Sequence, residues 1–441
     1  MKKFLIIILF IGIGALYFIK KDDNYILKKE YLKKEYKQIG NSKNNLRVIY
    51  TGNKASILNE KNNKVINTNY DNLFLTENQV ITLENNKFGL IDNEGKEILK
   101  ADYDKIKILN DKFVLLLKNQ QIFIFNIIEN KKLNLKIDKV LKINDEFILG
   151  KKDNKLGIVD FYGNLIIPFE YEYLDLFSEG LAVASMKNKN GYINKDNNFI
   201  TKKSYAYLFN FKNNYGIVYN EGKYGLVNTQ GEEVIELKYD NLFEIGKNIY
   251  GAKVKNGIIL LNEKGEKINF EIYEALGKEI NGKIPAKKNG KYGVINLQGE
   301  QIIDFKFLEM GEFKNNLSIV LDSETKKYGI INEKGNYVIY PQYLYIKDRT
   351  DNYFIAGDEN AKETLIYKNG TKLFEPMDTI DLYNENIAIG SKNLSSDIEI
   401  IILKEKNEEI LTVNNKSIIS ITNNEIILTK DDKFEVIILD I

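Results

Sequence analysis

Two of the side chains that most enzymes rely on are missing from these 441 residues, which contain no His and no Cys. That removes the usual His/Cys zinc sites, Cys-His nucleophiles and the Ser-His-Asp triad together. Disulfides are excluded as well. The remaining fragments with chemical spacing are weak. Ser323-Glu324-Thr325-Lys326 has the Ser-x-x-Lys interval of serine acyl-enzymes, yet no Lys-Thr-Gly follows and the segment falls where a turn is expected. Asn194, Asp196 and Asn198 alternate like the start of a calcium loop, but Phe199 stands where the glycine belongs, so the stretch reads as a hairpin turn. Acid pairs such as Asp102 with Asp104, or Asp431 with Asp432, would suit a glycosidase, whose reaction needs two carboxylates across a fixed gap. In a chain with 62 acidic residues such neighbours are expected from composition. No catalytic residue, metal site or cofactor is assigned on these grounds, the chain is expected not to be an enzyme, and its binding residues stay unassigned.

One acidic series recurs. Asp71, Asp104, Glu172, Asp240 and Glu274 each follow an aromatic residue, Tyr70, Tyr103, Tyr171, Tyr239 and Tyr273. In a closed ring they would lie at equal radius and line a channel or rim. Alternatively each acid accepts backbone N–H bonds in a local turn while the tyrosines pack between neighbouring units, and this second reading is preferred.

The aromatics keep a fixed distance from a turn residue. Gly95, Gly163, Gly231, Gly265, Gly299 and Gly335 are followed eight positions later by Tyr103, Tyr171, Tyr239, Tyr273, Phe307 and Tyr343. Asn62 leads to Tyr70, and Asn197 to Tyr205, by the same step. A period of about 34 residues lies in the range of arrays whose units cannot bury a hydrophobic face singly. Within one unit, Lys223-Tyr224-Gly225-Leu226-Val227-Asn228 and Glu232-Glu233-Val234-Ile235 flank the polar turn Thr229-Gln230-Gly231, whose glycine supplies a positive φ. A further alternating run such as Gly180-Leu181-Ala182-Val183-Ala184 leads into the next hairpin. Each unit therefore reads as a three-stranded antiparallel meander. With weaker copies included, about twelve units fill residues 46–441, which predicts an all-β, propeller-like array of one or two rings or an open superhelix.

The wording of the repeat resembles the bacterial WG (KWG) repeat family. Lys-Tyr-Gly at Lys223, Lys291 and Lys327, with the downstream turn glycine and Tyr-Asp pair, carries the likeness. The fullest copy runs from Lys155 through Gly157, Gly163, Pro168, Tyr171 and Phe177 to Ala184. The chain departs from the pattern in having no Trp, and Phe88, Leu156, Tyr224, Tyr292 and Tyr328 take the name-giving position. The resemblance implies a repeat scaffold, commonly at bacterial cell surfaces, and no reaction.

Location is read from the amino terminus. Met1-Lys2-Lys3 precedes an apolar run from Phe4 to Ile19, closed by Lys20-Lys21-Asp22-Asp23. As a helix this run would span about 24 Å, slightly short of the roughly 30 Å bilayer core. Residues 1–21 are expected to be a signal peptide or, preferably, an uncleaved helical membrane anchor. Residues 22–45, dense in Lys, Glu and Tyr, read as a charged stalk with a short solvated helix around Lys28 to Glu35. The net charge of +1 supplies no field for nucleic acid. The expectation is a membrane-tethered scaffold facing outward, or secreted if cleaved, that binds an envelope protein, glycan or cell-wall polymer. The alternative is a carboxylate-dependent envelope hydrolase.

Overall fold

A computed structural model describes residues 9–10, 15–21, 24–32, 36–348, 350–373, 376–384, 387–391, 398–403, 408–413, 417–422, 425–430 and 433–439. Among these residues the chain is all-β, with 46 strands and no helix. Every strand pair within a sheet is antiparallel and, one sheet excepted, neighbours in space are neighbours in sequence. Six sheets have four strands and three have three. A seven-stranded sheet joins two repeats through the long strand Gln301–Met310, and a six-stranded sheet combines strands from Leu9 to Leu32 with strands from Ser417 to Leu439, so the described residues form eleven sheets where about twelve units were expected within 46–441. The fourth strand of the fuller units was not anticipated. It is short, as in Tyr207–Leu208, and follows directly on the aromatic that ends the preceding unit.

The repeat at Tyr207–Leu208, Tyr215–Asn220, Lys223–Asn228 and Glu233–Tyr239 shows why these residues form this unit. Val218 and Val227 face one side of the sheet, and Leu226, Ile235 and Tyr239 the other. This is the period-two alternation of a strand buried on both faces. At the turn, Asn228 Oδ1 accepts the N–H groups of Gln230 and Glu232, both at 3.0 Å, and Gly231 takes φ 78°. Asn194 does the same for Asp196 and Asn198, at 3.1 and 2.9 Å, which accounts for the alternation there as an Asx turn. Ser323 to Lys326 also lie in a turn, where Asp322 accepts from the Thr325 N–H at 2.8 Å.

The glycine of Lys-Tyr-Gly has a different reason. Its strand pairs with the next one through register shifts around Tyr224 and Leu226, and a Cβ on Gly225 would lie 2.6 Å from the Ile235 carbonyl oxygen. Gly89, Gly157, Gly293 and Gly329 meet the equivalent carbonyl at 2.7 to 2.8 Å. The bulge forces the backbones together.

The array, expected as one stretch, divides into two compact units, one of Met1–Lys136 with Thr379–Ile441 and one of Ile137–Asp378. In the second unit, apolar clusters join successive sheets. Phe147, Ile158 and Tyr171 pack with Leu174, Ala182 and Ile193 of the following repeat. In the first unit the strand Asn24–Leu32 pairs along its length with Lys433–Leu439 near the other end of the chain.

That pairing corrects two expectations. The described part of the apolar run, Leu9–Phe10 and Ala15–Lys21, is strand rather than helix, and Ala15–Lys21 forms a hairpin with Asn24–Leu32. The rest of residues 1–21 lies outside the described residues. No described helix is long and apolar enough to cross a membrane. The stalk helix is likewise replaced by strand over Asn24–Leu32, and Gln38–Lys43 already opens the first four-stranded sheet. The physical cause is the backbone partner: a free apolar segment closes its hydrogen bonds as helix, whereas one beside the open edge of Lys433–Leu439 closes them as sheet.

A charged cluster centred on Arg47 is buried in the same unit. Arg47 is fully buried and sets Nε 2.7 Å from Glu60 Oε1, while Nη1 donates to the Gly40 carbonyl at 2.7 Å. Its Nη2 lies 2.5 Å from Glu425 Oε1, a close ionic contact whose angle falls outside hydrogen-bond geometry. Glu425 Oε2 in turn accepts from the Ser42 N–H and Oγ at 3.1 and 2.8 Å.

Candidate functional site

The residues singled out by the repeat are structural, and the geometry says how. Tyr103, Tyr171, Tyr205, Tyr239, Tyr273, Phe307 and Tyr343 are buried, and Tyr70 is half-buried. Several hydroxyls reach the turn of the following repeat. Tyr171 Oη lies 2.5 Å from Asn197 Oδ1, and Tyr205 Oη donates to Glu233 at 2.9 Å. Asn269 links Tyr273 to the Gly299 carbonyl at 2.9 and 3.0 Å. Burial, with the Glu233 carboxylate beside it, pushes the Tyr205 phenol well above its ordinary range.

The recurring acids are held inside their own repeats. Asp71 pairs with Lys54 at 2.8 Å and accepts the Asn85 N–H at 2.8 Å. Asp104 pairs with Lys87 and accepts the Asn119 N–H at 2.8 Å. Glu172 meets Lys155 at 3.1 Å, Asp240 meets Lys223 at 2.7 Å, and Glu274 accepts the Gly290 N–H at 2.9 Å. Hydrogen bonds from these lysines, before any other cause, hold the Asp71, Asp104 and Asp240 carboxyls below their usual range. Asp71 and Asp104 thus tie a lysine of one hairpin to the next hairpin turn and Glu274 caps a turn N–H, as the turn-capping reading expects, while Glu172 and Asp240 make the lysine contact.

Functional surface has to be sought where the repeat is broken. In the second unit the first strands of three consecutive repeats place unlike residues side by side. Lys142 Nζ contacts both oxygens of Asp175 at 2.8 Å, and Asn210 Nδ2 approaches Asp175 Oδ2 at 3.4 Å. Burial opposes the charge of Asp175, yet Lys142, the Leu176 N–H and Asn210 together keep its carboxyl below the usual range. On the same strands or just past them, the aromatics Tyr173, Tyr207 and Phe209 are exposed at 51%, 67% and 53%. Exposed rings at two successive edges are unusual for positions that neighbouring repeats fill with other residue types.

Tyr207 also begins a cross-strand row. It stands opposite Tyr219, which stands opposite Tyr224, which stands opposite Tyr239. Ring centroids are 5.6 Å apart for the first pair and 4.8 Å for the second. Exposure falls along the row from Tyr207 through the half-buried Tyr219 and Tyr224 to the buried Tyr239.

Sequence reasoning named none of these surface residues. The available signal was a second aromatic two positions after the structural tyrosine, in Tyr171-Glu172-Tyr173 and Tyr205-Ala206-Tyr207. The arrangement supports stacking and hydrogen bonding. Asp175 is neutralised by Lys142, and no group of three or more acids among the described residues converges on a metal-sized gap. A cleft of about 350 Å³ lies between neighbouring turns of the same unit, bordered by Lys212, Glu244, Lys247, Lys278 and Glu279, and Lys212 already pairs with Glu244 at 2.5 Å.

Comparison with known proteins places six copies of the WG containing repeat at residues 88–119, 158–189, 191–224, 224–257, 292–322 and 328–356. No curated protein sequence matches the chain. Among solved structures it is similar to the extracellular domain of a B. thetaiotaomicron protein assigned as a hybrid two-component system, at 9% identity. That match covers 94% of this chain and 72% of the other, with a TM-score of 0.24. It is also similar to a eukaryotic initiation factor (10% identity, 76% and 96% coverage, TM-score 0.32). A third similarity is to BamB from Moraxella catarrhalis (13% identity, 65% and 93% coverage, TM-score 0.21).

Proposed function

The chain belongs to the WG-repeat proteins, and from that premise we propose that it is a non-catalytic scaffold binding a macromolecular partner of the bacterial cell envelope. One observation carries the reading: the recurring acids and tyrosines are engaged within and between repeats, while the exposed, non-repeating residues are aromatic edges beside a neutralised ion pair. Repeat arrays present extended surfaces suited to large ligands. Exposed aromatic edges supply contact area at low entropic cost. The outward location is part of this proposal and rests on the repeat resemblance, since such scaffolds are common at bacterial cell surfaces.

The test incubates the full-length chain with native envelope material and with a panel of glycan and ester substrates. Retention on the envelope fraction without turnover is the expected result. Turnover abolished by one Asp or Glu to amide change would replace the scaffold with a carboxylate-dependent hydrolase.

A further inference from the structure

We propose that the tyrosine row Tyr207–Tyr219–Tyr224 is a stacking platform for an uncharged polysaccharide. The inference rests on the scaffold reading and names its ligand class. Three observations lead to it. The first is that Tyr207 and Tyr219 break the repeat, while Tyr224 holds the repeat's own aromatic position. At the same register the neighbouring sheets carry Asn72–Leu83–Phe88, Lys139–Lys151–Leu156, Asn241–Lys253–Ile258 and Ala275–Lys287–Tyr292. Those sheets fold with Lys, Asn and Leu at the outer rungs, so packing does not demand tyrosine there.

The second is the chemistry of the surface. Tyr207 is 67% exposed, and the rings behind it are half-buried, so apolar faces and hydroxyl edges are offered together. A pyranose has the matching character, with a face of C–H bonds that stacks on an aromatic ring and equatorial hydroxyls that hydrogen-bond at its rim. Successive rings let one polymer engage several rungs, and each ring contributes area that is already ordered before binding.

The third is charge. The ionic groups next to the row in sequence are paired: Lys223 beside Tyr224 with Asp240 beside Tyr239 at 2.7 Å, and Lys238, on the other side of Tyr239, with Glu236 at 3.3 Å. A neutralised border offers no attraction to an anionic polymer such as nucleic acid, whose binding depends on unpaired cations along the strand. An uncharged glycan needs none.

The test is affinity electrophoresis of the full-length chain in gels containing a neutral β-glucan, with a polyuronate and single-stranded DNA as the other arms. Tyr207→Ala and Tyr219→Ala are each expected to weaken glucan binding about tenfold, and Tyr207→Trp to retain it, because the stacking surface is kept. Tyr207 is mainly exposed, so an unchanged melting curve for Tyr207→Ala separates lost binding from lost folding. Glucan binding untouched by both alanine variants would overturn the assignment of the row. DNA or polyuronate binding that falls with these variants in place of glucan binding would overturn the ligand class. Envelope retention persisting with no glycan bound would sink this proposal and leave the scaffold reading standing, whereas loss of envelope retention itself would sink that reading.

Discussion

Tyr239 shows how much work a repeated residue does. Its ring is buried among Leu226, Leu242 and Tyr250 of two successive sheets. Truncation to alanine is expected to destabilise the protein by about 3–5 kcal/mol, the cost of removing a buried aromatic, as read from denaturant midpoints. An unchanged midpoint would mean that the ring is not a wedge between sheets. Gly225 presents the opposite constraint. A methyl group there meets the Ile235 carbonyl at 2.6 Å, so Gly225→Ala is expected to cost about 1–3 kcal/mol through backbone displacement. Gly222 tests the steric argument, since a Cβ there meets nothing within 4 Å although its φ of 81° is strained. The tyrosines also set a pH limit. Burial raises the phenols of the buried Tyr205 and Tyr250 above their ordinary value of 10.0; partial desolvation with the Glu363 carboxylate also pushes the exposed Tyr345 up to about 12, though solvent screening reduces what that shift contributes to stability. A raised folded pKa means that the neutral phenol is favoured in the fold. Its contribution is therefore complete below pH 10.0 and is lost as pH climbs toward the folded values. Melting temperature is expected to hold to about pH 10 and then decline, with phenolate absorbance at 295 nm rising in the same window. Ionisation of all tyrosines near pH 10 without loss of structure would contradict it.

At the scale of elements, the pairing of Asn24–Leu32 with Lys433–Leu439 and the Arg47 cluster act on the same unit. Arg47 is fixed to Glu60 of its own sheet and faces Glu425 on the strand Glu425–Lys430, so residues far apart in sequence share one buried charge centre. Arg47→Leu would strand two buried carboxylates and is expected to cost about 3–5 kcal/mol. Replacing Glu60 and Glu425 by Leu in the same background should recover most of that loss, because an apolar substitute removes the unpaired charges. Hydrogen exchange supplies the readout: amides of Asn24–Leu32 are expected to lose protection in the single variant and regain it in the triple. Equal protection in all three would show that the charge centre does not support this sheet.

At the scale of the molecule, eleven sheets among the described residues, in two compact units, predict dominant β signal in far-UV circular dichroism of the full chain, and helix-dominated spectra would refute the fold. The five sheets of the unit that holds both ends of the chain depend on a strand pairing of high sequence separation, which slows folding relative to the local meanders of the other unit. Two refolding phases are therefore expected, the slower one abolished when Asn24–Leu32 is deleted. A single phase unaffected by that deletion would count against independent units.

How much of this was legible in the residues follows from the range of the interactions. The turn glycines, the aromatic eight positions later and the Lys-Tyr-Gly run are local, and a period-two pattern closed by an Asx turn names its own hairpin; the repeated hairpin and its family could be read from them, whereas the fourth strand of the fuller units could not. The turn-capping role of Asp71 and Asp104 was also within reach, since an acid directly after the repeated tyrosine recurs in the sequence and each accepts a turn N–H. What the residues could not declare was settled by partners distant in sequence. The apolar run around Ala15–Lys21 suits a helix or a strand equally until the chain beyond Lys433 supplies an edge for the adjoining strand Asn24–Leu32. The Tyr207–Tyr219–Tyr224 row exists only because register aligns three separate strands, and the charge of Asp175 is balanced only because Lys142 of the preceding repeat reaches it. Local hydrogen bonding and hydrophobic period fix the module, whereas the site depends on which modules meet, and that is decided by tertiary packing.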